Sequence, residues 1–318
     1  MMMTRLINEN SYIQIEGLCA APVNIKIEGL NPAGSIKLKT ALSMISDLEE
    51  RGLITKNTKL IESSSGNLGV ALAMVCASRG YHFTCVIDPN ISHSNKKLMA
   101  ILGAELLVAD KRDENGGYLN TRIRIINDII AKNKSYIWLN QYQNPANPLA
   151  HYRATMRSIS ERLPKIDYLF IGAGTTGTLM GCRDFVIHYR PEIKIIAVDS
   201  EGSVTFGGQG GTRFIPGLGT SRLPEIYNPD GIHDFIQIPE EKTIRMCRRI
   251  ARSHGVLFGG STGTVLAGVE HWSANIKNDD VVVAISPDMG ERYLDTIYSD
   301  DWVEKHFNLS AYELYSVV

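Results

Sequence analysis

Two lysines stand two positions apart in "NPAGSIKLKT", residues 31 to 40. A lysine amine whose pKa is lowered by its setting attacks an aldehyde. Lys37 and Lys39 are therefore candidates for covalent chemistry, or an ordinary solvated pair at a helix start. Three other stretches carry reactive residue types. In "ESSSGNLG", residues 62 to 69, the hydroxyls of Ser64 and Ser65 with Gly66 and Asn67 suit a carboxylate at a helix N-terminus. A plain helix cap is the alternative. "GAGTTGT", residues 172 to 178, satisfies G-x-G-x-x-G with Asp199 closing the next strand, the pattern of a dinucleotide site. Its hydroxyls, Thr175, Thr176 and Thr178 among Gly174 and Gly177, favour a cup for one terminal phosphate over a pyrophosphate, with a bare tight turn as a third reading. "GGSTG", residues 259 to 263, fits the nucleophile elbow of serine hydrolases around Ser261, with Asp288 and His306 downstream. Only one clear strand follows it, so the rest of that fold is missing.

The elements that must position these loops alternate. "TKLIES", "HFTCVID", "ELLVA", "YIWLN", "DYLFIGAG", "KIIAVD" and "DVVVAIS" read as strands. "NLGVALAMVCASRG", "SNKKLMAILGAE", "TRIRIINDIIAKN", "TLMGCRDFVIHY" and "EEKTIRMCRRIARSHG" read as helices between them. Around Ser261, "VLF" is strand-like and "TVLAG" helix-like. This rhythm implies parallel βαβ units with helices on both sheet faces. Ligands in such folds sit beyond the carboxyl ends of strands, where the three loops fall. The Pro/Asn-rich "QYQNPANP" marks a lobe boundary near residues 143 to 148.

The 318 residues allow one large α/β unit or two lobes. A net charge of −1 gives no field for nucleic acid or a membrane surface. The densest basic stretch, with Arg245, Arg248, Arg249 and Arg252, is expected to be a solvated helix face. Five scattered cysteines, without C-x-x-C, read as buried free thiols of a reducing compartment. No metal-ligand spacing is present. "MMMTRLINEN" lacks an apolar signal core and no run is long enough to span a bilayer, so a cytoplasmic location is expected.

Read together, the motifs resemble one family. "NPAGSIK", "SSSGNLG", "NQYQNPANP", "GTTGT", "GGSTG" and "PDMGERYLDTIY" occur in the order found in the fold-type II pyridoxal-phosphate enzymes of the cysteine synthase and cystathionine β-synthase group. The resemblance runs from about residue 22 to about residue 303. It implies a two-lobed α/β fold, like the tryptophan synthase β subunit, with mostly parallel sheets. Residues 1–41 and 149–318 would form the larger cofactor-binding lobe, and 42–148 the smaller, mobile one. It implies pyridoxal 5′-phosphate as cofactor and a homodimer. By position, Lys37 matches the lysine that binds the cofactor covalently, and Asn67 the partner of the ring hydroxyl. Gly174, Thr175, Thr176, Gly177 and Thr178 match the phosphate cup. Ser261 matches the serine facing the ring nitrogen. Ser64, Ser65, Gly66 and Gln141 match the holders of the substrate carboxylate. Lys39 falls where the family usually has arginine, so it is the ordinary member of the opening pair.

The implied reaction is β-replacement: an activated serine loses its β-substituent to give an aminoacrylate, which a nucleophile attacks. A neutral serine at the ring nitrogen favours prompt loss of that group. The chain departs from the pattern at Leu38, where the family has aspartate, and lacks the usual Thr-Pro-Leu near the N-terminus. "GGYLNTR" and "PGLGTSRLPEI" instead resemble a subgroup of siderophore synthases. These join O-phosphoserine to L-glutamate, giving N-(2-amino-2-carboxyethyl)-L-glutamate, a 2,3-diaminopropionate precursor. Arg122 and Arg222 are candidate cations for such charged substrates, with Tyr152 a hydroxyl partner. "NPANPLAHY" reads more like true cysteine synthases, and Gly174 stands where the subgroup can have a hydroxyl residue. The alternatives are a cysteine or cystathionine synthase, a nicotinamide-dependent oxidoreductase using "GAGTTG" and Asp199, and an amino-acid sensor without activity.

Overall fold

The computed structural model describes residues 6–310 except Lys56 and Asn115. The first five residues of the expected signal-free N-terminus, and the outer ends of the two expected larger-lobe segments, lie outside the described residues. The chain opens with β1 (Tyr12–Ile15) and β2 (Val23–Ile27) and then enters α1 (Lys37–Glu50). Next come β3 (Lys59–Ser63), α2 (Asn67–Arg79), β4 (His82–Ile87), α3 (His93–Ile101), β5 (Glu105–Val108), α4 (Leu119–Lys132) and β6 (Tyr136–Trp138). A short α5 (Ala146–Ala150) runs through a π-helical turn at His151–Met156 into α6 (Arg157–Arg162). The remainder is β7 (Tyr168–Gly172), α7 (Gly177–Tyr189), β8 (Lys194–Ser200), β9 (Asp234–Ile238), α8 (Glu240–His254), α9 (Gly260–His271), β10 (Val282–Ser286) and α10 (Asp300–Phe307). Every strand and helix expected from the alternating pattern forms, save the short strand before Ser261.

Two sheets result. The larger has the order β1-β2-β10-β7-β8-β9 and is parallel except for the β1–β2 pair. The smaller, β5-β4-β3-β6, is wholly parallel. Side chains alternate across each strand, so neighbouring residues serve different cores. In the larger sheet, Phe170, Ile196, Val198 and Ala284 pack toward α8 and α9. Leu169, Ile171, Ile195 and Ile285 pack on the other face with α7. In the smaller sheet, Leu60, Phe83 and Cys85 meet α1 and α2, while Ile61 and Val86 meet Ile126 of α4. Coverage of both faces explains why the strands read as apolar runs.

Two expectations need correction, and one expected boundary falls within a helix. Val256–Phe258 is no strand: Phe258 makes one isolated bridge to Met289, so α9 follows α8 without the strand that a nucleophile elbow requires. The division at residue 41 falls inside α1, whose buried face packs in the core of the smaller sheet. The arginine face of α8 is not all solvated. Arg245 and Arg249 pair with Glu241 and Glu270 near the surface. Arg248 is buried, with Nε donating to Ile297 O (2.9 Å) and an ion pair to Asp300. Four of the cysteines are buried and Cys19 is half-buried, all as free thiols. No helix among the described residues is long and apolar enough to cross a membrane.

Candidate active site

Four helix N-termini meet beyond the carboxyl ends of the strands. Lys37 opens α1, Asn67 opens α2, Gly177 opens α7, and Ser261 is the second residue of α9. Unpaired N–H groups and aligned dipoles make each end attractive to negative charge. The Lys37 amine makes no hydrogen bond or ion pair among the described residues. Burial pushes its amine down to about 8, opposed by the Asp288 carboxyl. The positive end of α1 acts in the same direction as burial. A substantial share of this amine is therefore neutral near physiological pH. Lys39, one turn-face away, is a structural cation: its Nζ contacts Glu28 and Glu9, each at 2.7 Å, beside the fully buried Lys26.

The Gly174–Thr178 loop forms a cup. None of its five backbone N–H groups finds a backbone acceptor among the described residues. The Thr176 hydroxyl is buried and without a partner. Thr176 holds φ of 63°, an uncommon left-handed conformation for a β-branched residue, at the start of α7. Gly174 and Gly177 are glycines for space: a Cβ would come within 2.5 Å of Gly217 O at the first and 2.1 Å of Asn147 Oδ1 at the second. Behind the cup, Asn147 Nδ2 donates to Gln141 O (2.8 Å) and approaches Thr175 Oγ1 (3.4 Å). His151, in the π-helical turn, lies between the hydroxyls of Thr40 (3.1 Å), Thr155 (3.1 Å) and Thr178 (3.4 Å). Burial, reinforced by Lys37 and Lys39, keeps this imidazole well below its ordinary pKa and so neutral. His151 and Asn147 were not singled out from sequence, although both lie in "NPANPLAHY".

Across from the cup, Asp288 gathers the residues expected at a cofactor ring. Asn67 Nδ2 donates to its Oδ2 (2.7 Å), Ser261 Oγ to its Oδ1 (3.2 Å), and the Tyr293 hydroxyl to Oδ2. Arg292 Nη1 donates to Asn67 Oδ1 (3.0 Å). Since arginine only donates, this bond fixes the Asn67 amide with its NH₂ toward Asp288 and the Tyr293 hydroxyl, which Nδ2 reaches at 3.5 Å. Burial raises the Asp288 carboxyl, while its three donors and Arg292 oppose that shift. Arg292 and Tyr293 were missed as individuals, and Asp288 was singled out only as the acid of the nucleophile-elbow reading. Their signal was "PDMGERY", quoted whole without roles.

The serine loop is divided in function. Ser64 Oγ accepts the N–H groups of Gly69 (3.0 Å) and Gly66 (3.3 Å), capping α2. Ser65 Oγ bonds Asp88 Oδ2 (2.7 Å) and accepts from Arg122 Nη1 (3.2 Å). Arg122 also pairs with Asp88 (3.0 Å), and its buried Nε has no partner. Gln141 is buried beside this loop, its Nε2 donating to Ser63 O (3.1 Å). The guanidinium of Arg222 lies 5.7 Å from the Tyr142 ring centre and pairs with Glu225. Burial raises the Tyr142 phenol; the next influence is Arg122, which lowers it, as do Arg222 and Arg213. Tyr152 is not brought to this region. Its ring packs edge-on against Phe185 and His188, with Tyr189 beside it. Those residues lie two to three turns along α7 from the cup, at about 1.5 Å per residue.

Asp199, required by the dinucleotide reading, is fully buried, and its Oδ1 accepts the Ser200 N–H (2.8 Å). The cup instead fits a lone phosphate: five free N–H groups and an orphaned threonine hydroxyl at a helix N-terminus, with a partly neutral lysine and a ring-sized set of polar partners opposite. These residues fit pyridoxal phosphate. The chain belongs to the family of pyridoxal-phosphate dependent enzymes, whose model matches residues 4–288.

Solved structures agree. An O-ureido-L-serine synthase with bound O-ureido-L-serine is similar at 28% identity and TM-score 0.86, covering 97% of this chain and 98% of that one. A hydrogen sulfide-producing enzyme from Fusobacterium nucleatum is 30% identical, TM-score 0.86, covering 92% and 99%. An O-acetylserine dependent cystathionine β-synthase from Helicobacter pylori is 26% identical, TM-score 0.86, covering 93% and 98%. The expected mixed α/β fold-type II architecture and the cofactor both stand.

Proposed function

We propose that this enzyme performs β-replacement on an activated L-serine. In this reading O-phospho-L-serine is the favoured donor and L-glutamate the favoured amine nucleophile, giving N-(2-amino-2-carboxyethyl)-L-glutamate. One of the similar structures is O-acetylserine dependent by name, which supports an O-substituted serine as donor here. The observation that carries the substrate half is the grouping of Arg122 at Ser65 with Arg222 and Arg213 around Tyr142, the residue after Gln141. A phosphate leaving group and a dicarboxylic nucleophile bring charge that guanidinium forks bind well, whereas sulfide needs no such set.

Bound in this cleft, pyridoxal phosphate supplies an aldehyde for the Lys37 amine and an electron sink for a negative charge at Cα. The protein's residues supply the rest. Lys37 would anchor the cofactor, and its amine would serve as the base that takes the Cα proton. The Gly174–Thr178 cup holds the phosphate, Asn67 the ring hydroxyl and Ser261 the ring nitrogen. Ser64, Ser65, Gly66 and Gln141 hold the α-carboxylate. The unit built on the smaller sheet is the mobile lobe, with α1 moving as part of it. A homodimer and a cytoplasmic location complete the reading.

A cysteine or cystathionine synthase is the second reading, favoured by "NPANPLAHY". The visible spectrum of the holoenzyme tests both. O-phosphoserine should shift the band more readily than O-acetylserine and release phosphate. L-glutamate should then restore the band and yield the coupled product by mass. Restoration by sulfide alone, with O-acetylserine as donor, would move cysteine synthesis to the front.

A further inference from the structure

Glu62 lies at the end of β3, fully buried, one residue before the serine loop. A buried carboxylate must be satisfied by donors, and its donors are informative. Oε1 accepts the Ser63 N–H (2.7 Å) and Trp138 Nε1–H (3.2 Å). Oε2 accepts the Gln141 N–H (3.2 Å). Gln141 in turn donates from its side chain to Ser63 O (3.1 Å), and its carbonyl accepts from Asn147 behind the phosphate cup. One carboxylate thus joins the two segments assigned to the substrate carboxylate, residues 64–66 and Gln141, although they are far apart in sequence.

We infer that Glu62 is a positioning residue for the substrate α-carboxylate: its carboxylate ties the Gln141 backbone to the end of β3 and so sets the width of the cradle. The inference rests on the proposed carboxylate role of Ser64, Ser65, Gly66 and Gln141. The tether needs the ionised form. With a proton on Oε2, or with an amide NH₂ there, two donors face each other at Gln141 N and the bond is lost. Burial pushes the Glu62 carboxyl up to about 7, opposed by the N–H groups of Ser63, Trp138 and Gln141 and by Arg122. The other titratable groups facing this site are Cys85 on β4 and Tyr142 in the loop after β6, both held neutral by burial. The folded-state value is raised, so the tether is present above about pH 7 and lost as pH falls through it.

Charge alone predicts the opposite sign. A buried negative charge near an anion site repels the substrate, so removing it without a positioning effect would tighten carboxylate binding. The decisive experiment compares O-phosphoserine with its α-carboxamide in the holoenzyme, wild type and E62Q, each across pH. In E62Q, KM for O-phosphoserine should rise about tenfold or more with a smaller change in kcat. The visible cofactor band should stay in place, and the preference for carboxylate over carboxamide should collapse. In the wild type, which needs no variant to fold, KM for O-phosphoserine should rise below about pH 7. The carboxamide bears the same phosphate, so phosphate titration affects both and cancels in the ratio. An unchanged or lower KM in E62Q, or a wild-type ratio flat in pH, overturns the inference. Gln141→Ala separates the two levels. If it leaves the carboxylate preference intact, the cradle assignment fails. If it abolishes the preference while E62Q does not, only the role of Glu62 fails.

Discussion

Replacing Gly174 with serine should cripple the phosphate cup of this chain. The new Cβ would lie 2.5 Å from Gly217 O, half an ångström inside the closest approach that real Cβ atoms make, and the obstacle is backbone. Gly217 cannot simply retreat: it stands against Ser261, and the neighbouring Gly219 N–H is bonded to Ala173 O (3.0 Å). Overpacking of this kind costs about 1–3 kcal/mol, and losing the Gly219 bond adds about 0.5–1.5 kcal/mol. If half of that falls on the cup, affinity for the cofactor weakens about fourfold to fiftyfold. Titration of the apoenzyme with pyridoxal phosphate, followed by the visible band, measures it directly. Thermal unfolding of the same apoenzyme measures the share borne by the fold. Unchanged affinity with a lowered Tm would show that the 215–219 loop yields instead of the cup, and would refute the reasoning.

Lys37→Ala should abolish covalent cofactor capture and its visible band while circular dichroism stays native; a variant that still turns over removes Lys37 from its role. In the wild type, capture of cofactor by the apoenzyme needs the neutral amine, so its rate should climb with pH and level off above about 8. Asp288→Asn keeps the volume but removes the acceptor shared by Asn67, Ser261 and Tyr293; cofactor affinity should fall about tenfold, and an unaltered titration would dismiss Asp288 as the organiser of the ring site. Arg222→Ala should raise KM for O-phosphoserine several-fold more than KM for O-acetylserine; equal effects on both would sink its assignment to a charged substrate. Arg248→Ala should lower stability by about 1–3 kcal/mol, read as a fall in Tm, because Ile297 O loses its partner; turnover per folded molecule should not change.

The sequence by itself determined the layered α/β plan, because burial on both sheet faces writes itself as apolar strand runs alternating with helical spacing. It also pointed to the loops at the strand ends, and its ordered motifs led to Lys37, Asn67, the Gly174–Thr178 loop and Ser261 as the candidates, which the fold brings to one region. Only the tertiary structure separated look-alikes. "GAGTTG" fits a pyrophosphate loop as well as a phosphate cup until Asp199 is seen to be buried. "GGSTG" fits a nucleophile elbow until the preceding strand proves absent. Arg248 sits among three other arginines on one helix and differs only in what packs over it, the Ile297–Asp300 segment some fifty residues on. Tyr152 lies in the same stretch as the useful Asn147 and His151, yet its ring turns along α7 and away from the cup. Glu62 is an unremarkable acid in sequence and Asp288 entered only as a hydrolase acid; both become organisers because Gln141 and Asn67, from distant segments, donate to them. Periodicity records which face of an element is buried. Which partner buries it, and what a buried carboxylate then holds together, depends on contacts hundreds of residues apart that no local pattern encodes.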